Sequence, residues 1–156
     1  MEIDKLEAIQ VAGTTQWIRV RGADASNPVL LLVQQGPGLP MINEARRIER
    51  LLMLERAFTV VYWDQRGCGR SLREKKGRGD ISLERMVSDT VTLLGLLRDR
   101  FSGKTYVAGF SFGATVAAFA AAPSMSVPTA TKVVTRSGRR AAANAATVAP
   151  KENPVT

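Results

Sequence analysis

The chain has no histidine in 156 residues and a single cysteine, Cys68. The first absence excludes a Ser-His-Asp triad, a Cys-His dyad or a histidine-ligated metal built from this chain alone. The second excludes an intrachain disulfide and with it a disulfide scaffold. The first five residues, Met1 to Lys5, are charged and carry no apolar core of signal-peptide length, so no secretory signal is expected and a cytoplasmic location is the default. The last 34 residues hold no Leu, no Ile and no aromatic; all nine aromatics lie before residue 120.

What is present divides in two. Residues 1–122 have the composition of a soluble globular domain. Residues 123–156 contain four of the seven prolines and an Ala-rich run, and have too little apolar surface to offset the entropy of ordering. They are expected to be a disordered, low-complexity tail, basic by 5 − 1 = +4, half of the chain's excess of 22 − 14 = +8.

Before that tail, strand and helix patterns alternate. Residues 6–12 and 14–21 read as two short strands joined at Gly13. Residues 29–33, Val-Leu-Leu-Leu-Val, form an apolar run expected of a strand buried on both faces, and residues 58–63 form a second. Residues 43–56 read as an amphipathic helix with Asn43 as N-cap and Ile48, Leu51, Leu52 and Leu54 apolar. Residues 82–100 give the clearest helix, with Met86, Val87, Thr90, Leu93, Leu94 and Leu97 on one face. Tyr106 to Ala108 is a third buried strand and residues 114–122 a small-residue helix. Buried strands alternating with helices predict an α/β fold with a mostly parallel sheet.

Gly109-Phe110-Ser111-Phe112-Gly113 fits G-x-S-x-G between a strand and a helix. That pattern sets a serine on a tight, strained turn with its hydroxyl clear of the strand, and requires small residues two positions to either side, where strand and helix backbones nearly touch. The helix N-terminus beside the serine favours developing negative charge. A plain strand-to-helix turn is the competing reading.

Two further segments accompany it: Gln34-Gln35-Gly36-Pro37-Gly38 after the first buried strand, and Asp64-Gln65-Arg66-Gly67-Cys68-Gly69-Arg70-Ser71 after the second. Together the three resemble the α/β-hydrolase superfamily, and within it the proline iminopeptidase branch with its H-G-G-P-G, D-Q-R-G-x-G-x-S and G-G-S-W-G segments. The resemblance covers residues from about 14 to 122. It implies the N-terminal part of the α/β-hydrolase fold, ending after the helix that follows the serine. It implies Ser111 as the acyl-forming nucleophile, with the backbone N–H groups of Phe112 and Gln35 as oxyanion-hole donors. Gly109 and Gly113 shape the elbow, Gly36, Pro37 and Gly38 the oxyanion loop. Asp64, Arg66, Gly67 and Gly69 are expected to fix the loops around the site without reacting.

Two departures stand out. Gln34 replaces the branch's usual His, and Gln35 replaces a Gly. Further, the branch supplies an acid and then a histidine in later strands, whereas here the pattern stops one helix after the serine. The abrupt change at residues 122 and 123 suggests a frameshift or spliced end. The expected function is a serine hydrolase that cleaves an N-terminal residue, or a related amide or ester, through an acyl-serine, inactive as this chain for want of a base. The alternative is a non-catalytic product that binds acidic partners through its basic loop and tail.

Other segments carry bland readings. Gly103-Lys104-Thr105 lacks the glycine and the strand-to-helix order of a phosphate-binding loop. Cys68 reads as a structural loop cysteine, although Arg66 and Arg70 nearby would activate a thiol. The basic run from Arg66 to Arg78 has no interleaved aromatic and reads as a solvated loop, so no nucleic acid is expected. The uncharged stretch 105–131 is better explained by strand, elbow and helix than by a membrane span. No metal or organic cofactor is implied. A small peptide or ester is the substrate class of the full-length relative, and nothing in the sequence bears on oligomeric state.

Overall fold

The computed structural model describes residues 2–74 and 81–122 and the backbone of Val133–Arg136. Six strands form one sheet in the order β1-β2-β4-β3-β5-β6. They are β1 (Ile3–Val11), β2 (Thr14–Gly22), β3 (Val29–Val33), β4 (Thr59–Asp64), β5 (Thr105–Phe110) and β6 (Val133–Arg136). β1 and β2 are an antiparallel hairpin turned at Ala12-Gly13, and β2 is antiparallel to β4. β4, β3, β5 and β6 are mutually parallel, so the sheet is mixed. The helices are α1 (Ala45–Leu52), α2 (Leu83–Arg100) and α3 (Phe112–Ala120).

Because side chains alternate across a strand, a run buried on both faces must feed two cores. In β3, Val29, Leu31 and Val33 join Val61, Trp63, Val107 and the helix residues Leu93, Leu94, Leu97 and Val116 in one layer. Leu30 and Leu32 join Val60, Tyr62, Ile42 and Ala45 in the layer on the other face. The α2 helix starts at Ser82, whose hydroxyl accepts the Arg85 N–H at 3.2 Å, and its predicted apolar stripe is buried.

One expectation needs correction. The helix expected over 43–56 is broken into a 3-10 turn, Ile42–Glu44, then α1, then a second 3-10 turn, Leu54–Arg56. Asn43 lies inside the first turn, and Glu44 is the cap position without a side-chain cap bond. Met53, at φ 48°, ends α1 in the left-handed region, where a side chain is disfavoured and a regular helix cannot continue. Leu51 and Leu52 are exposed, so the apolar positions there do not form one buried stripe. Within residues 123–156, Val133–Arg136 form β6, paired in parallel with β5 from Val107↔Val133 to Phe110↔Arg136. The rest of residues 123–156, and with it the proposed frameshift junction and the Ala-rich run, lies outside the described residues, as do Lys75, Lys76 and Arg78 of the basic run. Among the described residues no helix is long and apolar enough to cross a membrane.

Candidate active site

Ser111 stands at the C-terminal end of β5, immediately before α3, with φ 52° and ψ −125°. A non-glycine residue in that region is strained by about 1–3 kcal/mol and persists only where its surroundings impose it. Here the surroundings are two backbones in contact. A Cβ on Gly109 would lie 2.2 Å from the Gly113 carbonyl oxygen and 2.7 Å from the Ala114 nitrogen. A Cβ on Gly113 would lie 2.2 Å from the Gln34 carbonyl oxygen and 2.7 Å from that of Val33. Strand, helix and the end of β3 therefore meet at spacings that admit only glycine. The turn closes with the Ala114 N–H donating to the Ser111 carbonyl at 2.9 Å, and the Ser111 side chain is exposed. Phe112 is the first residue of α3, where a backbone N–H has no partner within the helix.

The loop after β3 runs beside this turn. Gln34 is buried and Gln35 is exposed. Pro37 and Gly38 occupy the centre of a turn in which the Leu39 N–H donates to the Gly36 carbonyl at 3.3 Å, with Gly38 at φ 81°. Pro at the first central position and a positive φ at the second make this a type II turn.

The loop after β4 is tied in by Asp64, which is buried. Its Oδ1 accepts the N–H groups of Met41 at 2.8 Å and Ile42 at 3.0 Å, and its Oδ2 accepts that of Arg70 at 2.9 Å. One carboxylate thus joins the end of the β3 loop to the turn that holds Gly67 (φ 75°) and Gly69 (φ 48°). Its backbone carbonyl accepts the Ser71 hydroxyl, which in turn accepts the Trp17 N–H at 2.8 Å.

Arg66 is buried and pairs with a carboxylate of α2. Its Nε and Nη2 donate to Asp89 Oδ2 and Oδ1 at 2.8 and 2.9 Å. Asp89 Oδ2 also accepts Gln16 Nε2 at 2.9 Å, and Gln16 Oε1 accepts the Trp63 indole N–H at 2.9 Å. Sequence reasoning missed Asp89 and Gln16. The signal existed: Asp89 interrupts the apolar stripe of α2 between Met86 and Leu93, and a carboxylate at such a position requires a buried cation. Charge-assisted bidentate pairs of this kind are the strong class of hydrogen bond.

Cys68 is buried, and its thiol donates to Gln34 Oε1 at 3.1 Å. Burial, and then the nearby Asp64 carboxylate, push the thiol from its ordinary 9.0 up to about 12. The neighbouring arginines do not activate it. The stability that the neutral thiol contributes is present below pH 9.0 and is lost as pH rises through the window up to about 12. At pH 8 the native chain is expected to resist iodoacetamide, since only ~10⁻⁴ of the thiol is ionised, and to react once unfolded in guanidinium. Stoichiometric alkylation of the native chain under those conditions would contradict this placement.

Among the described residues no group of three His, Cys, Asp or Glu side chains could hold a metal ion. Ser111, Phe112, Gln35 and the two elbow glycines are brought to one place, at the C-terminal ends of β3 and β5. Asp64 and the Gly67–Gly69 turn stand behind the adjoining loop, and Arg66 ties that loop to α2.

No family model matches the chain. It is 34% identical over 113 residues to the probable aminopeptidase YbaC of Bacillus subtilis (strain 168), an alignment covering 72% of this chain and 35% of that protein. The chain thus spans about a third of the length of the curated relative it matches. Among solved structures it is similar to an N-formylmaleamic acid deformylase of Pseudomonas putida S16, with a TM-score of 0.63, 27% identity and coverage of 84% of this chain and 46% of the other. It is also similar in fold to a proline iminopeptidase-related protein of Thermus thermophilus, with a TM-score of 0.59, 24% identity and coverage of 76% and 40%. Topology and relatives together show that this chain has part of the α/β-hydrolase fold.

Proposed function

We propose that Ser111 is the nucleophile of an aminopeptidase-like serine hydrolase. It would attack the carbonyl of an N-terminal residue, or of a related amide or ester, to form an acyl-serine. The observation that carries this reading is the strained backbone of Ser111 at the head of α3, held between two glycines that no larger residue can replace. Strain of this kind is kept where it serves a site. The attacked carbonyl gains negative charge beside the α3 N-terminus, where the Phe112 N–H and the helix dipole offset it, with the Gln35 N–H as second donor. The 34% identity to a probable aminopeptidase supports the peptide-bond reading.

The proton on the Ser111 hydroxyl has no acceptor of the required kind within these 156 residues, because none is histidine. Loss of the triad base costs about 10⁶ in turnover. The chain by itself is therefore expected to release no p-nitroaniline from aminoacyl-p-nitroanilides. With an activated aryl ester and added imidazole as an external base, Ser111 is expected to acylate. Burst release of p-nitrophenol should rise with imidazole concentration and vanish in Ser111→Ala. An equal burst in Ser111→Ala would remove Ser111 from the mechanism.

A further inference from the structure

The chain leaves the C-terminal end of β3, runs back along α1 and enters β4, which is parallel to β3 and β5. The last residues of α1 therefore lie toward the end of the sheet opposite Ser111. Met53 stops the helix there with its left-handed backbone, and its N–H donates to the Glu49 carbonyl at 2.8 Å. Glu49 pairs with Arg21 of β2, which ties this end of α1 to the sheet. The chain turns inward again at Glu55, which is buried and accepts the Tyr62 hydroxyl. Leu51, Leu52 and Met53 are left outside, 69%, 47% and 51% exposed. Every other exposed large hydrophobic among the described residues stands alone in the sequence. An apolar patch rimmed by polar residues marks an interaction site, whereas single exposed apolar residues need no explanation.

The rim is basic. The helical period places Arg46, Arg50, Arg47 and Leu51, in that order, within an arc of about 140°. All four are exposed, and Ala45 on the opposite side is buried. Among the described residues, Arg47 is paired with Glu44 at 3.6 Å, and Arg46 and Arg50 make no ion pair. The other acidic groups close by are Glu49, already held by Arg21, and Glu2, which lines a cavity together with Arg56. An arginine face that ends in an aliphatic apex asks for two things at once, anions and an apolar phase. Nucleic acid supplies phosphates, but its bases stack on aromatic side chains and this apex has none. The surface of an anionic bilayer supplies both, with headgroups for the guanidinium groups and acyl chains beneath them for the leucines.

We propose that the C-terminal end of α1 docks the protein on an anionic lipid surface, with Arg46, Arg47 and Arg50 at the headgroups and Leu51, Leu52 and Met53 in the outer acyl layer. The contact is peripheral and needs no membrane-spanning helix. It lies at the other end of the sheet from Ser111, so it is independent of the role of that serine.

The test is flotation of the 156-residue chain with vesicles of phosphatidylcholine alone, or of phosphatidylcholine with about a quarter phosphatidylserine. Binding is expected only with phosphatidylserine and should weaken as salt is raised. The chain's general excess of +8 could draw it to anionic vesicles by another route, so the variants decide. Leu51→Ser with Met53→Ser keeps every charge, alters only exposed side chains, and should weaken binding about tenfold or more. Arg46→Gln with Arg50→Gln should weaken it by a similar factor. Arg73→Gln with Arg85→Gln removes the same charge from exposed positions elsewhere and should change it less than twofold. Ser111→Ala should bind as the unaltered chain does. Undiminished binding by the Leu51/Met53 variant, equal losses from the two arginine pairs, or equal binding to neutral vesicles would overturn the proposal. So would a dimer in sedimentation equilibrium that the Leu51/Met53 variant abolishes while vesicle binding is absent, since the apex would then belong to a second copy of the chain.

Discussion

Replacing Arg66 with methionine is expected to destabilise the fold by about 3–5 kcal/mol, because it leaves the Asp89 carboxylate buried without its cation. The pair is almost wholly enclosed, with side-chain exposures of 7% for Arg66 and 2% for Asp89. Water cannot take the place of the lost guanidinium. Gln16 is left donating to a carboxylate whose charge nothing else offsets, and Gln16 also holds the Trp63 indole, so the disturbance reaches the core. Guanidinium denaturation followed by Trp fluorescence measures the effect. The double variant Arg66→Met with Asp89→Leu supplies the control. Replacing both charges by apolar groups is often near neutral, so the double variant should recover most of the loss. A single variant within about 1 kcal/mol of the unaltered chain would show that the pair is solvated in solution and that the loop after β4 is held by Asp64 alone.

Gly113→Ala is expected to abolish the reactivity of Ser111 while costing the fold less than the Arg66 change. The added Cβ would sit 2.2 Å from the Gln34 carbonyl oxygen, and that atom is backbone, so no side chain can swing aside. Either α3 moves away from β3 or the Ser111 turn relaxes. Overpacking of this kind costs about 1–3 kcal/mol. A displacement of about 1 Å at the nucleophile costs 10²-fold or more in rate. Acylation of Ser111 in the presence of imidazole should fall by at least that factor, with the cooperative unfolding transition retained. Unchanged acylation would mean that the strand and helix are not in contact at the elbow.

Much of this arrangement is legible in the sequence for physical reasons that can be named. β3 and β4 are runs buried on both faces, and such runs carry their own signal. The α2 stripe is a clean helical period closed by a Ser cap. The glycine spacing around Ser111 follows from the close approach of strand and helix, and the space at Gly109 and Gly113 is too short for any larger residue.

What escaped reading is equally specific. β6 is four residues in a segment without Leu, Ile or aromatics, and its place beside β5 depends on a pairing between distant parts of the chain. The break at Met53 sits in a region with ordinary helix formers, so propensity gives no warning of its left-handed backbone. Asp89 and Gln16 are 73 positions apart, and Asp89 meets both Gln16 and Arg66 only in the folded chain. The hydrogen bond from the Tyr62 hydroxyl to Glu55 is likewise invisible in one dimension, since it is set by the packing of a 3-10 turn against β4.

The proposed role of Ser111, a strained serine that acts as nucleophile once a base is supplied, is tested most directly by peptide mapping of the 156-residue chain after reaction with an aryl fluorophosphonate, with and without imidazole. The account predicts a single modified residue, Ser111, with negligible labelling in buffer, strong acceleration by imidazole, and loss of both in Gly113→Ala. Labelling spread over the chain's other serines, or acceleration that survives in Gly113→Ala, would contradict it.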